Sequence, residues 1–430
     1  MPHEISEPAR RTPVIAEPQV LVVGAGPAGL GAAIGAARAG ADVLLVEKHG
    51  CLGGMLTAGS VINIRQFNDF RALIIGGVAR DLVERIRVAG GTESVPEEGE
   101  YVRHDPEVTK FVAQEMALEA GVRPLLHTQV VGAVREGSAL RGILVENKSG
   151  RGAILAPVVV DASGDGDVIY HSGAAYEQDT SAPQPMTLAF VIGGVTSWPQ
   201  SLGPALRARI DEEIAQGTFV TTRPPALFPM WRKGEYYANA TRIPGDCTNA
   251  WDLTNGEITG RRQVMALLDW LRANAPGYER AFLLSSAPQV GLRESRRLRG
   301  LYTMTRADIV GYADFADHVA RGAYVIDIHA PGRGTEMVYL EPGRSYGIPY
   351  RALVPAEVDG LLAAGRCISA DHDALGSVRV MATCLATGEA AGVAAALAAR
   401  QGCAPRALDV PALQGALRAQ GAILEAPTTA

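Results

Sequence analysis

Two periods of apolar and polar residues divide the chain. Residues 20–23 (Val-Leu-Val-Val) are an uncharged run ending at Gly24, the pattern of a strand buried on both faces. An Ala-rich stretch, 29–39, reads as a helix closed by Gly40, and 42–47 (Asp-Val-Leu-Leu-Val-Glu) as a second strand. The chain therefore opens with a strand–helix–strand unit. Val78, Leu82 and Ile86 recur at i, i+4 and i+8, which predicts an amphipathic helix over 77–88 that stops at Gly90-Gly91. Asp105 and Pro106 supply an N-cap and a first-turn proline for a helix running to about residue 120.

After residue 122 the pattern shortens to β-rich runs at 128–135, 140–147 and 152–160, punctuated by Gly137 and Gly150. The middle, 176–344, is irregular and holds most of the aromatic residues, with one clear helix at 258–273. Regularity returns with a strand at 360–364 and a small-residue helix at 381–399. The pattern predicts an α/β protein: a discontinuous Rossmann-like domain (19–65, 105–175 and 345–402) carrying an inserted second, α+β domain (66–104 and 176–344). Residues 1–18 and 403–430 read as tails.

Composition narrows this. With 47% hydrophobic and 20% charged residues over 430 positions, the chain has the material for a large core and is not disordered. A formal charge of -6 argues against a nucleic-acid partner, which would call for a basic face. Five cysteines with no CxxC argue against a disulfide framework and favour a reducing cytoplasm. Residues 1–18 lack the apolar region of a signal peptide. Residues 20–37 are uncharged and long enough to resemble a membrane span, but their glycines and proline read better as a buried strand–turn–helix, so no membrane partner is expected.

The chemistry begins at Gly24-Ala25-Gly26-Pro27-Ala28-Gly29, a GxGxxG that follows a strand and opens a helix. Gly24 permits the turn, Gly26 lets backbone N–H groups approach a diphosphate, and Gly29 lets helix and sheet touch. The helix N-terminus faces the phosphates, and Glu47, at the end of the next strand, accepts a ribose hydroxyl. Lys48 and a second Gly-rich turn, Gly53-Gly54-Met55, follow directly; an extra backbone turn here suits the extended FAD molecule better than NAD. Val130 and Val131 join the expected cofactor contacts, as do Ala162, Ser163, Gly164 and Asp167 in a small acidic turn. That turn fails as a calcium loop, because its twelfth position is Ser172; no metal site is expected. Gly365 and Arg366 follow a later strand, and Ser377, Val378 and Arg379 precede a helix N-terminus suited to the electron-rich edge of a reduced flavin.

Together with Arg293-Glu-Ser-Arg-Arg297, Tyr324-Val-Ile-Asp-Ile-His329, Ile348-Pro-Tyr-Arg351 and His372, these segments resemble the FAD-dependent oxidoreductases of the glutathione-reductase-like superfamily. The resemblance spans about 22–392. It implies bound FAD, a discontinuous flavin domain and an inserted substrate domain, and no particular substrate. The chain lacks the GDAAH-like segment of aromatic flavin hydroxylases and the redox CxxC of disulfide reductases.

Flavin oxidation of a C–H bond needs a base beside the substrate. His372 is the first choice, because its segment should approach the flavin ring, and His329, at the end of an apolar strand, is the second. Arg379 could hold an anionic substrate or the reduced flavin. Arg293 is a substrate residue or part of an ion-pair network around Glu294. Tyr346 and Tyr350 orient substrate or fill core, and Trp231, Tyr236 and Tyr237 line a pocket or pack the insert. Cys51 or His49 could attach the flavin covalently. The expected activity is removal of a hydride from a C–OH or C–N carbon of a small polar metabolite by a dehydrogenase or oxidase. The alternatives are a flavin monooxygenase using NAD(P)H or a partner reductase, and a non-catalytic electron-carrying flavoprotein.

Overall fold

The computed structural model describes residues 9–179, 183–197, 202–329 and 334–426. Its centre is a five-stranded parallel sheet in the order Leu361–Ala363, Val158–Asp161, Val20–Val23, Val43–Val46 and Arg123–Leu125. The three middle strands are buried along their whole length, as their lack of polar alternation requires. Their side chains divide by period two. Val20, Val22, Val43, Leu45, Val158 and Val160 face a helical layer; Leu21, Val23, Leu44, Val46 and Val159 face a second sheet.

The helical layer is built around Pro27–Arg38 and Met381–Gln401. These two helices meet backbone to backbone. A Cβ on Gly388 would lie 2.0 Å from the Ala28 carbonyl oxygen, one on Gly392 2.0 Å from that of Ala32, and one on Gly31 2.2 Å from that of Leu385. No side chain fits at these crossings. The helix Met381–Gln401 is long and apolar enough to cross a membrane, and 94% of its most apolar stretch is buried inside the protein.

The second sheet runs Val14–Ala16, Gly150–Leu155, Ala139–Asn147, Gln129–Glu136. Here the structure corrects two expectations. Residues 14–16, read as loose tail, pair in parallel with the strand from 150 to 155. The run 152–160 is two strands, interrupted at Ala156-Pro157: the first half stays in this sheet, and 158–161 enters the central one.

The insert has a core of its own, including Met186, Leu188, Phe190, Tyr236, Leu267 and Val290. It comprises an antiparallel sheet (Ala226–Pro229, Tyr236–Asn239, Phe190–Gly193, Phe282–Ser286) and the helix Ala250–Asn274. That helix begins two turns before the apolar pattern does, because the Asn249 side chain accepts from the Trp251 and Asp252 N–H groups. The insert is smaller than the sequence suggests. Phe67, Ile75, Leu82 and Ile86 from the expected cap segment 66–104, and Met304, Ile309, Val319 and Ile326, all pack in the main core. So do Leu413, Leu417 and Leu424 of the expected C-terminal tail, which contains the helix Val410–Ala419.

Candidate functional site

A cavity of about 400 Å³ opens where the loops after the parallel strands meet the insert's sheet. In open parallel sheets this edge is where ligands bind. One wall is the dinucleotide loop: Gly24, Gly26, Pro27, Ala28, Glu47, Lys48, Gly54, Met55, Ala162, Ser163, Gly164 and Arg366 all line it. Gly24 has φ +91°, and a Cβ there would strike the Ala162 carbonyl oxygen at 2.6 Å. A Cβ on Gly26 would meet nothing of the protein nearer than 4.0 Å, so the space before Gly26 is open. The Glu47 carboxylate is fixed by two backbone donors, Ala25 N–H at 2.7 Å and His49 N–H at 2.8 Å. No side chain caps Pro27–Arg38 or Met381–Gln401, and both helices start in this wall.

This donor set fits FAD. Glu47 would hold the ribose, the loop and first-helix N–H groups the diphosphate, and the second helix N-terminus the isoalloxazine. The carboxylates of the acidic turn hold its shape and its neighbours, while Ala162, Ser163 and Gly164 face the cavity. Asp161 is fully buried; its carboxylate accepts from Ser163 N–H at 3.1 Å, Ser163 Oγ at 2.6 Å and Ile169 N–H at 2.9 Å, and burial pushes its pKa up to about 6. Asp165 holds Arg366 at 2.6 Å, and Asp167 pairs with Arg296 at 3.2 Å.

Several expected contacts lie outside the lining. Gly29 and Gly365 are packing positions: a Cβ on Gly29 would reach the Gly24 carbonyl oxygen at 1.7 Å, and one on Gly365 (φ +74°) the Ala28 Cβ at 2.6 Å. Gly53 shapes its turn, donating to the Ala25 carbonyl at 2.7 Å. Val130 is core beneath the sheet, and Val131, Asp167 and Val378 do not face the cavity. Ser377 bonds the Tyr346 hydroxyl at 2.6 Å. Tyr346 and Tyr350 are therefore core, not substrate residues; the Tyr350 hydroxyl donates to the Pro405 carbonyl at 2.9 Å.

The two histidines exchange places. His372 is turned away from the cavity, its Nδ1 2.9 Å from Glu294 Oε1, and this bond raises its pKa. Glu294 also holds Arg297 at 2.5 Å, so the charge network expected around Glu294 exists without Arg293. His329 lines the cavity instead. Its Nε2 lies 3.2 Å from the Asp327 carboxylate and its Nδ1 3.3 Å from Thr335 Oγ1. Burial first, then the charge of Arg293, pushes its pKa down to about 3. Burial works to raise the Asp327 pKa, but the bond from His329 and the charges of Arg379 and Arg293 outweigh it and hold the group well below the usual carboxylate range. Arg379 lines the cavity and donates to the Asp327 carbonyl at 2.9 Å. Arg293 lines it beside Thr187, Asn239 and Tyr237; Arg65 and Tyr324 complete this wall.

Tyr237 is thus a cavity residue, whereas Tyr236 packs against Tyr278 with ring centroids 5.9 Å apart. His49 borders the cavity with Nε2 buried and unbonded; Cys51 lies off it, 3.8 Å from Thr57 Oγ1. The sequence reading missed Asp327, Arg65, Asn239 and Thr187. A signal for Asp327 was present: Ile326 and Ile328 alternate with Asp327 and His329, which places the two polar residues on one face of a strand.

Fold and site define an α/β protein with a Rossmann-like dinucleotide-binding fold and an inserted second wall to the cavity. The family model described as FAD dependent oxidoreductase matches residues 19–417. The chain belongs to that family, and its cofactor is FAD. Among curated relatives, thiamine thiazole synthase of Saccharolobus solfataricus is 29% identical over 260 residues, covering 56% of this chain and 88% of the relative. The same enzyme of Aeropyrum pernix is 33% identical over 161 residues, 35% of this chain. Cinnamate reductase of Clostridium sporogenes is 36% identical over 135 residues, 30% of this chain. The chain spans 56% of the Aeropyrum relative's length and 18% of the reductase's. Among solved structures, a geranylgeranyl bacteriochlorophyll reductase-like protein from Thermoplasma acidophilum aligns with TM-score 0.49 at 15% identity, covering 94% of this chain and 83% of that one.

Proposed function

We propose that this FAD-dependent oxidoreductase is a dehydrogenase or oxidase that removes a hydride from the C–OH or C–N carbon of a small polar metabolite. The observation supporting this reading is that the Asp327–His329 pair opens into the same cavity as the dinucleotide cradle. FAD, when bound, supplies the two-electron acceptor. Asp327 accepts from His329 Nε2–H and so leaves the lone pair on Nδ1, where the Thr335 hydroxyl makes a long contact. The His329 imidazole takes the hydroxyl or amine proton as the C–H electron pair departs, giving a carbonyl or imine. Asp327 stabilises the imidazolium that results. An external acceptor, such as oxygen, a quinone or a carrier protein, completes the cycle. The same reading keeps the wider glutathione-reductase-like placement and a cytoplasmic location, in line with five free thiols.

The test is anaerobic mixing of the holoenzyme with a panel of small alcohols and amines, following loss of flavin colour in stopped flow. A substrate should bleach the wild type. His329→Ala should slow bleaching about 10²–10⁴-fold with FAD content unchanged. Bleaching by NADPH in the absence of any panel compound would instead favour the monooxygenase alternative.

A further inference from the structure

The substrate's chemical class, resting on the reading just given, follows from the partners of one arginine. Arg293 borders the cavity and is only partly exposed. Its guanidinium bonds are to neutral acceptors: the Pro185 carbonyl at 2.7 Å, Thr187 Oγ1 at 2.6 Å and Asn239 Oδ1 at 3.4 Å. Among the described residues no carboxylate pairs with it. The other cavity arginines are matched: Arg65 by Glu100, Arg366 by Asp165 at 2.6 Å, and Arg379 by Asp327 at 3.7 Å. The Asp327 charge is in turn shared with His329. Burial first, then the charges of Arg379 and Arg223, pushes the Arg293 pKa down to about 9, against the charge of Asp327, which works the other way from beyond ion-pair distance. A buried, unmatched guanidinium is costly, and an anion in the adjacent cavity removes that cost.

We propose that Arg293 is the anchor for a carboxylate of the substrate, with Thr187 and Asn239 fixing its guanidinium at the cavity wall. The substrate is then a small hydroxy or amino acid. A guanidinium with no carboxylate within ion-pair distance among the described residues offers a place for a negative charge, and the planar fork fits a carboxylate through two parallel hydrogen bonds. This moves anion recognition from Arg379, which already has its carboxylate, to Arg293. It also links binding to chemistry: a carboxylate on Arg293 cancels part of the field that suppresses proton uptake at His329.

The experiment uses the FAD-loaded full chain and reads two signals, perturbation of the flavin spectrum for binding and bleaching for turnover. The probes are lactate, malate and alanine, each with its uncharged amide. Saturable perturbation by at least one acid, weakened about a hundredfold in Arg293→Met and about tenfold in Arg293→Lys with FAD content unchanged, supports the anchor. Equal binding of acid and amide, equal binding by wild type and Arg293→Met, or no binding of any acid overturns it. Acids that bind through Arg293 and never bleach the flavin leave the anchor standing and remove the dehydrogenase reading. Amides that bleach it while acids do not bind remove the anchor and leave that reading standing.

Discussion

The two walls of the cavity are made from different materials. The cradle wall is mostly backbone: glycines, a helix start and one carboxylate held by two N–H groups. The opposite wall is mostly long polar side chains, among them Arg293, Arg379, Asp327, His329 and Tyr324, from segments far apart in sequence. The cradle wall binds through shape and dipoles that hardly depend on neighbouring side chains. The other wall works through charges whose properties are set almost wholly by their neighbours. Arg293 and Arg379 are both cavity arginines, yet one has a carboxylate beside it and the other has none among the described residues.

The largest test of this contrast is Gly26→Val. Gly26 has φ −69° and open space before it, so the protein accommodates the side chain at a cost of about 1 kcal/mol for a poorer N-cap. The valine occupies the space assigned to the diphosphate, however, and FAD affinity should fall more than about a hundredfold. A folded but colourless protein, checked by circular dichroism and absorbance, is the expected outcome. Full retention of FAD would contradict the placement of the diphosphate at this loop.

A second test concerns Glu389, a buried carboxyl behind the cradle between Gly35 and Gly77. Its Oε2 accepts from Val78 N–H at 3.0 Å, its Oε1 has no hydrogen-bond partner, and burial pushes its pKa up to about 8. The folded state keeps the proton that the unfolded chain releases near the ordinary glutamate value. Stability should therefore fall as pH rises from about 4.5 towards 8, with a limiting slope of about 1.4 kcal/mol per unit, and level off above. Glu389→Gln should flatten that slope in urea unfolding at pH 5 and pH 8. An unchanged slope would mean that the carboxyl is ionised in the fold.

The smallest effect is expected at His372, which separates the walls' chemistry from their scaffolding. It serves Glu294, away from the cavity. His372→Ala should cost about 1 kcal/mol of stability and change flavin reduction only a few-fold. A loss as large as that of His329→Ala would return the base to His372.

The cradle was legible in outline and not residue by residue: Gly29, Gly53 and Gly365 serve packing and turn geometry, and Val130, Val131, Asp167, Ser377 and Val378 lie off the cavity. Gly24, Gly26, Glu47, Gly54 and Arg366 all sit where the motif spacing puts them, at the cavity. The helix 77–88 has the limits its periodicity predicts. The insert's extent was not legible, because 66–104 has the same apolar spacing whichever core receives it. The choice of base was not legible either: His372 is near the right segment in sequence but faces Glu294, 78 residues earlier in the chain.

What the sequence by itself determined is therefore whatever rests on local backbone geometry: the buried strands, the turns that need glycine, the helix starts and the class of cofactor they grip. Tertiary structure decided which charges are matched, which histidine opens to the cavity and which carboxylate orients it. Glycine conformation and strand burial depend on residues a few positions apart. The ionisation and pairing of Arg293, Asp327 and His329 depend on which distant groups share one enclosure, and a charge in a partly buried site responds to every neighbour within it.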